Sequence, residues 1–272
     1  MSGSPTAVTF DEHRVSVDGF DVRYLAAGDG PTLVWVHGAI GLRLNRAHEL
    51  LAATHRLVAI QIPGFGDSPP NDRSGSLREL AGTVRQAIAA IGIERTSLWG
   101  TSFGGKLALW LAADAPDLVD ALVLESPAAI RDETPPPAAP AGPPSPTTHA
   151  ALLYAHPERR LPAPEPAPDV VAKQQALAGR LVGPARDADL EAAMAGLAVP
   201  TLALFGTADR LTPPELGRHY RQILPDCHVL VVYDAAHQIA SDRPEAFAST
   251  VADFVERKGA FVVRSESGLV HP

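Results

Sequence analysis

The stretch Leu98-Trp99-Gly100-Thr101-Ser102-Phe103-Gly104-Gly105-Lys106 decides how this chain folds. Its first two residues end a short apolar run, and the residues after Gly104 have a helical pattern as far as Ala113. A G-x-S-x-G sequence between a strand and a helix is typical of a sharp turn that exposes the serine hydroxyl. The flanking glycines let neighbouring backbone approach closely, so we predict a strained turn with Ser102 at its tip. A plain glycine-rich turn with an exposed serine is the alternative.

On both sides of this turn, short apolar runs alternate with amphipathic helical stretches. Continuous apolar runs of this length suit strands that are buried on both faces, as in a parallel sheet covered by helices. The predicted strands are Leu33–Val36, Leu57–Ile62, Ser97–Trp99, Ala121–Leu124, Leu202–Phe205 and Val229–Val232. The predicted helices are Leu77–Ile91, Gly105–Ala113, Pro214–Ile223 and Pro244–Val255. The alternation predicts an α/β fold with a mostly parallel, doubly wound sheet, and the turn dipeptide Asp18-Gly19 predicts a hairpin before it.

Proline is concentrated in one part of the chain, since 13 of its 26 prolines lie between Pro127 and Pro168. Proline lacks a backbone donor and disfavours helix in the residue before it, so we expect no regular helix or central strand there. The stretch is either a disordered linker or an ordered lid. A helix-forming pattern resumes from Asp169 to Leu197. We therefore predict a first core part (residues 1–126), a Pro-rich cap insertion (127–196) and a second core part with a C-terminal tail (197–272).

Composition and charge exclude several classes of protein. The 272 residues include 23 Lys and Arg against 31 Asp and Glu, and this net charge of −8 disfavours nucleic acid or an anionic membrane as a partner. The one cysteine, Cys227, has no disulfide partner, and no Cys/His cluster has zinc-ligand spacing. No apolar stretch is long enough to span a membrane, and the N-terminus lacks a signal-peptide pattern. We expect a soluble, cytoplasmic protein without metal or cofactor, and leave its oligomeric state open.

Five motifs in a fixed order resemble those of the α/β-hydrolase fold family, in its serine-nucleophile esterase branch, and the resemblance covers nearly all of the chain. The four besides the serine turn are His37-Gly38-Ala39-Ile40-Gly41, Pro63-Gly64-Phe65-Gly66-Asp67-Ser68, Gly206-Thr207-Ala208-Asp209-Arg210-Leu211-Thr212-Pro213 and Ala236-His237-Gln238. They resemble, in that order, the oxyanion loop, a G-x-G-x-S turn, the acid loop and the histidine loop of the family. The resemblance implies a catalytic triad with Ser102 as nucleophile, Asp209 as acid and His237 as base.

The resemblance also implies how a negatively charged intermediate would be held. Two backbone N–H groups would form the oxyanion hole, those of Phe103 and Ala39, and Ile40 would replace Ala39 if the loop were shifted by one residue. His37 and Gly38 would shape this loop without touching the reacting atoms.

The chemistry of the residue types supports the same triad. A serine hydroxyl is a weak nucleophile that needs a base, and histidine can accept a proton and return it near neutral pH. His237 follows an apolar run, and the ends of parallel strands are where ligands gather. Eight other histidines lie where surface or packing roles are expected, namely His13, His48, His55, His149, His156, His219, His228 and His271. For the acid, Glu125 is the rival of Asp209, because it also ends an apolar run and some family members carry the acid there.

A serine, a histidine–aspartate pair and an oxyanion hole suit acyl transfer. The leading hypothesis is therefore hydrolysis of a small to medium carboxylic ester through an acyl-enzyme on Ser102, with the ester and water as the only partners. Carbon–carbon bond hydrolysis, thioesterase, lactonase and perhydrolase activities use the same triad and stay open. The loop from His37 to Gly41 lacks the H-G-x-G-P-G pattern usual in the carbon–carbon hydrolases, and Ser102 replaces the aspartate nucleophile of dehalogenases and epoxide hydrolases.

Two further expectations concern the pocket. The apolar residues of the insertion, Leu152, Leu153, Tyr154 and Leu161, predict an apolar ceiling and hence a mainly apolar substrate. The alternative of a different class is a ligand sensor of this fold that turns over its ligand very slowly.

Overall fold

The computed structural model describes residues 8–131 and 146–261. In this part of the chain, eight strands form one sheet in the order β1-β2-β4-β3-β5-β6-β7-β8. They are β1 (Asp11–Val17), β2 (Phe20–Ala27), β3 (Thr32–Val36), β4 (Arg56–Ile60), β5 (Thr96–Thr101), β6 (Val119–Glu125), β7 (Thr201–Gly206) and β8 (Cys227–Val232). The pairs from β4 to β8 in this order are parallel. The pairs β1–β2 and β2–β4 are antiparallel. The predicted α/β fold with a mostly parallel open sheet is confirmed.

Helices cover both faces of this sheet. Those of the described residues are α1 (Arg46–Ala52), α2 (Leu77–Ala90), α3 (Phe103–Asp114), α4 (Pro146–Leu153), α5 (Pro168–Leu181), α6 (Ala188–Ala195), α7 (Gly217–Ile223), α8 (Ile239–Asp242) and α9 (Pro244–Arg257). Successive strand residues point to opposite faces, so Leu98 belongs to the core under α2 and α3, and Trp99 to the core under α1 and α9. Strands buried on both sides explain the continuous apolar runs of the sequence.

Local turn chemistry sets several element boundaries. Asp18 and Gly19 both have positive φ, 48° and 74°, and join β1 to β2 as the predicted two-residue hairpin turn. The run predicted as a strand to Ile62 ends two residues earlier, because the N–H of Ile62 donates to the His37 ring and not to a neighbouring strand.

The stretch between β6 and β7 differs from its prediction in two ways. The Pro-rich part does contain a regular helix, α4, because Pro146 occupies its first position and residues 147–153 include no proline. The helical pattern from Asp169 to Leu197 forms two helices, since Gly183-Pro184 interrupts the helix between α5 and α6. Residues 132–145 of the expected lid lie outside the described residues.

The described part of this insertion is joined by hydrogen bonds to two loops of the core on the carboxyl side of the sheet. At the loop after β4, Gly66 donates its N–H to Gln174 of α5 (2.9 Å) and accepts from Lys173 (2.9 Å). A Cβ on Gly64 would lie 2.5 Å from Leu177, so this glycine lets α5 pack closely. At the loop after β8, the backbone N–H groups of residues 155, 156 and 236 all donate to the buried carboxylate of Asp242.

The end of the described chain packs on the core. Phe261 lies 5.4 Å from Phe254 between ring centroids, and the rest of the C-terminal tail, residues 262–272, lies outside the described residues. None of the helices in residues 8–131 and 146–261 combines the length and the apolar character needed to cross a membrane. Within the same ranges, no three His, Cys, Asp or Glu side chains are grouped so as to hold a metal ion.

Candidate active site

Ser102 lies where β5 turns into α3. Its φ of 55° and ψ of −114° belong to a region that L-residues rarely adopt, so the predicted strained turn is present. Two neighbours brace it: the N–H of Ser102 donates to the carbonyl of Glu125 (2.9 Å), and its carbonyl accepts from Ala128 (3.0 Å). The serine side chain stays partly exposed above the first turn of α3.

Glycines bring the serine turn and the loop after β3 together. A Cβ on Gly104 would lie 2.3 Å from the carbonyl oxygen of Val36, closer than real Cβ atoms come. A Cβ on Gly38 would lie 3.3 Å from the Cβ of Ser102. The close approach therefore depends on the missing side chain at Gly104, and Gly38 keeps its neighbour Ala39 beside the serine turn.

The three residues predicted as a triad form one hydrogen-bonded chain. The hydroxyl of Ser102 lies 2.8 Å from Nε2 of His237, which can accept its proton. On the other side of the ring, Nδ1 of His237 lies 2.9 Å from Oδ2 of Asp209 and donates to it. Both His237 and Asp209 are buried. This arrangement fits proton transfer from a serine to an oriented imidazole.

Asp209 is held as a carboxylate by its own loop. Its Oδ1 accepts the backbone N–H groups of Leu211 (2.8 Å) and Thr212 (3.0 Å), and its Oδ2 accepts the Thr212 hydroxyl (2.6 Å). Burial opposes ionisation, but the hydrogen bonds and charge of His237 and the bonds from Thr212 outweigh it and lower the pKa of Asp209. The role of Thr212 was not predicted from the sequence, although the Asp-x-x-Thr spacing is a known local hydrogen-bonding pattern.

Glu125, the rival acid, faces other partners. Its carboxylate accepts hydrogen bonds from Trp99 Nε1 (3.2 Å), the Thr101 hydroxyl (2.6 Å) and the N–H of Ala240 (2.8 Å). Burial raises the pKa of Glu125, against the effect of these bonds. The hydrogen bonds of the described residues do not join it to His237, so the geometry favours Asp209 as the acid. Glu125 instead links β5, which precedes Ser102, to α8, which follows His237, through these hydrogen bonds.

Both ring nitrogens of His37 form hydrogen bonds with backbone groups. Its Nε2 accepts the N–H of Ile62 (3.0 Å), and its Nδ1 donates to the carbonyl of Gly38 (2.7 Å). Burial lowers the pKa of His37 to about 4, so the ring is neutral near pH 7. His37 thus holds the loop after β3 against the loop after β4, which agrees with a role in shaping the loop.

Backbone donors face the serine from two sides. The N–H of Phe103 is the first of α3, where an α-helix offers no acceptor. Across from it, Gly38 to Gly41 form a β-turn closed by a hydrogen bond from Gly41 to Gly38 (3.1 Å). No described residue accepts a hydrogen bond from the N–H groups of Ala39 and Ile40 in the middle of this turn. Both stay available to a developing negative charge, and the choice between them stays open.

The expected apolar ceiling is only partly present in the described residues. Leu153 and Tyr154 are buried, and Leu161 is half-buried. Tyr154 and Leu161 line a pocket whose wall also contains Arg43 and Arg160. Sequence reasoning missed both arginines, because nothing in their local sequence marks them as neighbours.

Comparison with known proteins places the chain in a family. Residues 31–150 match the model of the α/β hydrolase fold. The chain is 30% identical over 253 residues to the pimeloyl-[acyl-carrier protein] methyl ester esterase of Aeromonas salmonicida, which covers 84% of this chain and 96% of that protein. The fold, the site and this likeness define the class: the chain belongs to the α/β-hydrolase fold family.

Other similarities are shorter or weaker. The chain is 38% identical over 119 residues to the dihydrolipoyllysine-residue acetyltransferase component of the acetoin cleaving system of Cupriavidus necator, and the match spans 43% of this chain but 32% of that protein. The chain thus matches about a third of the length of this relative. Among solved structures, the naproxen esterase of Bacillus subtilis has a TM-score of 0.70 at 20% identity, covering 91% of this chain and 92% of that one. This likeness shows the fold alone.

Proposed function

We propose that this protein is a serine hydrolase that cleaves a carboxylic ester of a small to medium, mainly apolar substrate through an acyl-enzyme on Ser102. The observation that carries the proposal is the hydrogen-bonded chain from the Ser102 hydroxyl through His237 to Asp209, at 2.8 and 2.9 Å. The strained turn at Ser102 and the free N–H groups around it add the other parts that acyl transfer needs.

In this mechanism the Ser102 oxygen attacks the ester carbonyl carbon while its proton passes to Nε2 of His237. The carboxylate of Asp209 stabilises the imidazolium, and the N–H groups of Phe103 and Ala39 donate to the oxyanion. The intermediate collapses when the carbon–oxygen bond to the alcohol breaks and His237 protonates the leaving oxygen. Water then attacks the acyl-enzyme, gives a proton to His237 and releases the carboxylic acid, and His237 returns the proton to Ser102.

Two considerations favour ester hydrolysis over the other reactions open to this triad. The methyl ester esterase of Aeromonas salmonicida is similar over 84% of this chain. The epoxide hydrolase of Corynebacterium is also similar, at 29% identity over 41% of this chain, but the serine at position 102 replaces the aspartate nucleophile expected of that chemistry. The serine at position 102 therefore separates the proposed reaction from epoxide hydrolysis.

The test is hydrolysis of 4-nitrophenyl acetate, butyrate, hexanoate and octanoate by the purified chain. We expect turnover with an optimum at an intermediate chain length, because each methylene that a binding site buries gains about 0.8 kcal/mol until the site is filled. A folded protein that hydrolyses none of these esters would contradict the proposal. Rapid release of one equivalent of nitrophenol followed by arrest would instead support the slow sensor.

Ala39→Pro tests the oxyanion donor on the loop after β3. The substitution removes one N–H, and proline is favoured at the second position of a β-turn, so the fold should be kept. We expect kcat/KM to fall about 10²–10³-fold, since the loss of one such donor costs about 2.7–4 kcal/mol in the transition state. Ala39→Gly, which keeps the N–H, is the control. A folded Ala39→Pro protein with full turnover would contradict the assignment and direct attention to Ile40.

A further inference from the structure

A small pocket opens beside the proposed catalytic residues. Its cavity volume is about 20 Å³, enough for about one water molecule, so a larger group would also occupy its open mouth. Ile40 and Gln238 form part of its wall, and they are the chain neighbours of Ala39 and His237. The facing wall comes from the insertion, through Tyr154 and other residues of its 154–163 segment. A group bound here would therefore lie next to both loops of the proposed reaction centre.

Two guanidinium groups meet at this pocket. The side chains of Arg43 and Arg160 are 19% and 29% exposed, and both bind the carboxylate of Glu165. Arg43 reaches it at 2.7 Å and Arg160 at 2.8 Å, and Arg160 also lies over the ring of Tyr154, 5.1 Å from its centroid. Hydrogen bonds from Arg43 and then Arg160 lower the pKa of Glu165, so it is charged. Arg43 and Arg160 share this one carboxylate, and Asp242, the other acidic group whose charge acts on Tyr154, accepts backbone N–H groups at both oxygens.

Three other polar groups of the wall lack a partner among the described residues. The Tyr154 hydroxyl, the side-chain amide of Gln238 and the Ser241 hydroxyl make no hydrogen bond to any described residue, although all three residues are buried. Polar groups in such places are satisfied by water or a ligand. Together with the arginines, they make this wall suited to a polar, negatively charged group.

Glu165 is placed so that it can be displaced. Its side chain is 70% exposed, whereas the arginines are largely covered. It lies between Pro164 and Pro166 in residues 161–167, which form neither helix nor strand. An ion pair whose carboxylate is this exposed contributes little stability. A stronger anionic ligand would therefore replace the Glu165 carboxylate at small cost.

We infer that Arg43 and Arg160, which line this pocket, bind a free carboxylate of the substrate at the place that the exposed Glu165 carboxylate takes when no substrate is bound. The inference rests on the proposed ester hydrolysis and narrows its substrate to an ester with an apolar body and one acidic group. A carboxylate is the group that the two guanidinium groups already hold, and the planar fork of arginine matches its geometry.

Paired esters test this substrate class. Mono-4-nitrophenyl esters of succinic, adipic and suberic acids are compared with 4-nitrophenyl esters of butyric, hexanoic and octanoic acids of the same chain length. Butyryl esters of 3-hydroxybenzoic acid and of 3-methylphenol place the charge on the alcohol side. We expect one acidic ester to exceed its neutral partner about tenfold or more in kcat/KM, the effect of one good charge-assisted hydrogen bond. Equal rates for every pair would overturn the inference and leave ester hydrolysis standing.

Three variants separate a binding site from a mere surface ion pair. Arg43→Gln and Arg160→Gln should each lower the preference for the acidic ester about tenfold. Glu165→Gln should raise it, because it removes the competing carboxylate. Arg78→Gln is the matched control, since Arg78 also forms a two-point pair with a carboxylate, that of Asp114, but outside the pocket. An unchanged preference in all the pocket variants would contradict the inference.

Direct binding keeps the inference testable without turnover. Calorimetric titration of the full chain with free adipate or suberate should give dissociation constants on the order of 1 mM, as expected for one small anionic group. Arg43→Gln and Arg160→Gln should weaken this binding, whereas Arg78→Gln should not. Binding without hydrolysis of any ester would contradict the proposed function alone. The absence of binding together with ester hydrolysis would contradict the carboxylate site alone.

Discussion

Ser102→Ala is expected to lower kcat/KM for the best 4-nitrophenyl ester by about 10⁴–10⁶-fold, the range seen when the nucleophile of a triad is removed. The substitution removes the oxygen that forms the acyl-enzyme, whereas the N–H donors and the histidine stay. The variant should still hydrolyse the ester about 10³–10⁴-fold faster than the uncatalysed reaction in water, because these groups remain. The measurement is steady-state hydrolysis. The amount of active protein in the sample is titrated, so that traces of wild-type protein are not mistaken for activity of the variant.

The chain contains a matched control for this variant. Ser126 follows β6 as Ser102 follows β5, and it too has positive φ, 45°. Its buried hydroxyl has no hydrogen-bond partner among the described residues. Ser126→Ala should therefore keep wild-type activity, and it controls for the loss of a hydroxyl on a similar turn. Full activity of folded Ser102→Ala would refute the acyl-enzyme mechanism.

Asp209→Asn should lower kcat about 10⁴-fold, as in other triads. An amide in place of the carboxylate directs an N–H at Nδ1 of His237, and this favours the wrong tautomer of the ring. The neutral amide also no longer stabilises the imidazolium. Leu211 and Thr212 still donate their N–H groups to the remaining oxygen, so the loop should keep its conformation. The near-ultraviolet circular dichroism spectrum checks that the fold is retained, and hydrolysis rates give the effect.

Glu125→Gln is the comparison that decides between the two acids. Because Glu125 binds Trp99, Thr101 and Ala240, the substitution should mainly lower stability, by about 1–3 kcal/mol if one of these donors is left unpaired. Its effect on kcat should be far smaller than that of Asp209→Asn. The reverse ranking, with Glu125→Gln as the more damaging variant, would make Glu125 the acid.

Much of the fold could be predicted because its signals are local. Continuous apolar runs predict buried strands, the G-x-S-x-G turn predicts the strained residue, and both depend on neighbours in sequence. The errors are local as well: the break at Gly183-Pro184 and the helix that begins at Pro146 lie where proline acts at a helix start or between helices. The positions of Ser102 and His237 could likewise be predicted, since Ser102 directly follows a buried strand and His237 lies in the loop after another.

The sequence by itself determined the alternation of strands and helices, the turn at Ser102 and a short set of acids and histidines at strand ends. Only the tertiary structure decided which of them meet. Glu125 ends β6 and Asp209 follows the adjacent strand β7. The packing of loops around Gly206, where a Cβ would lie 2.3 Å from the carbonyl oxygen of Ala235, brings Asp209 to His237. Arg43 and Glu165 likewise meet across 122 positions. Such contacts depend on strand order and on the close approach of distant loops, and a local pattern carries neither.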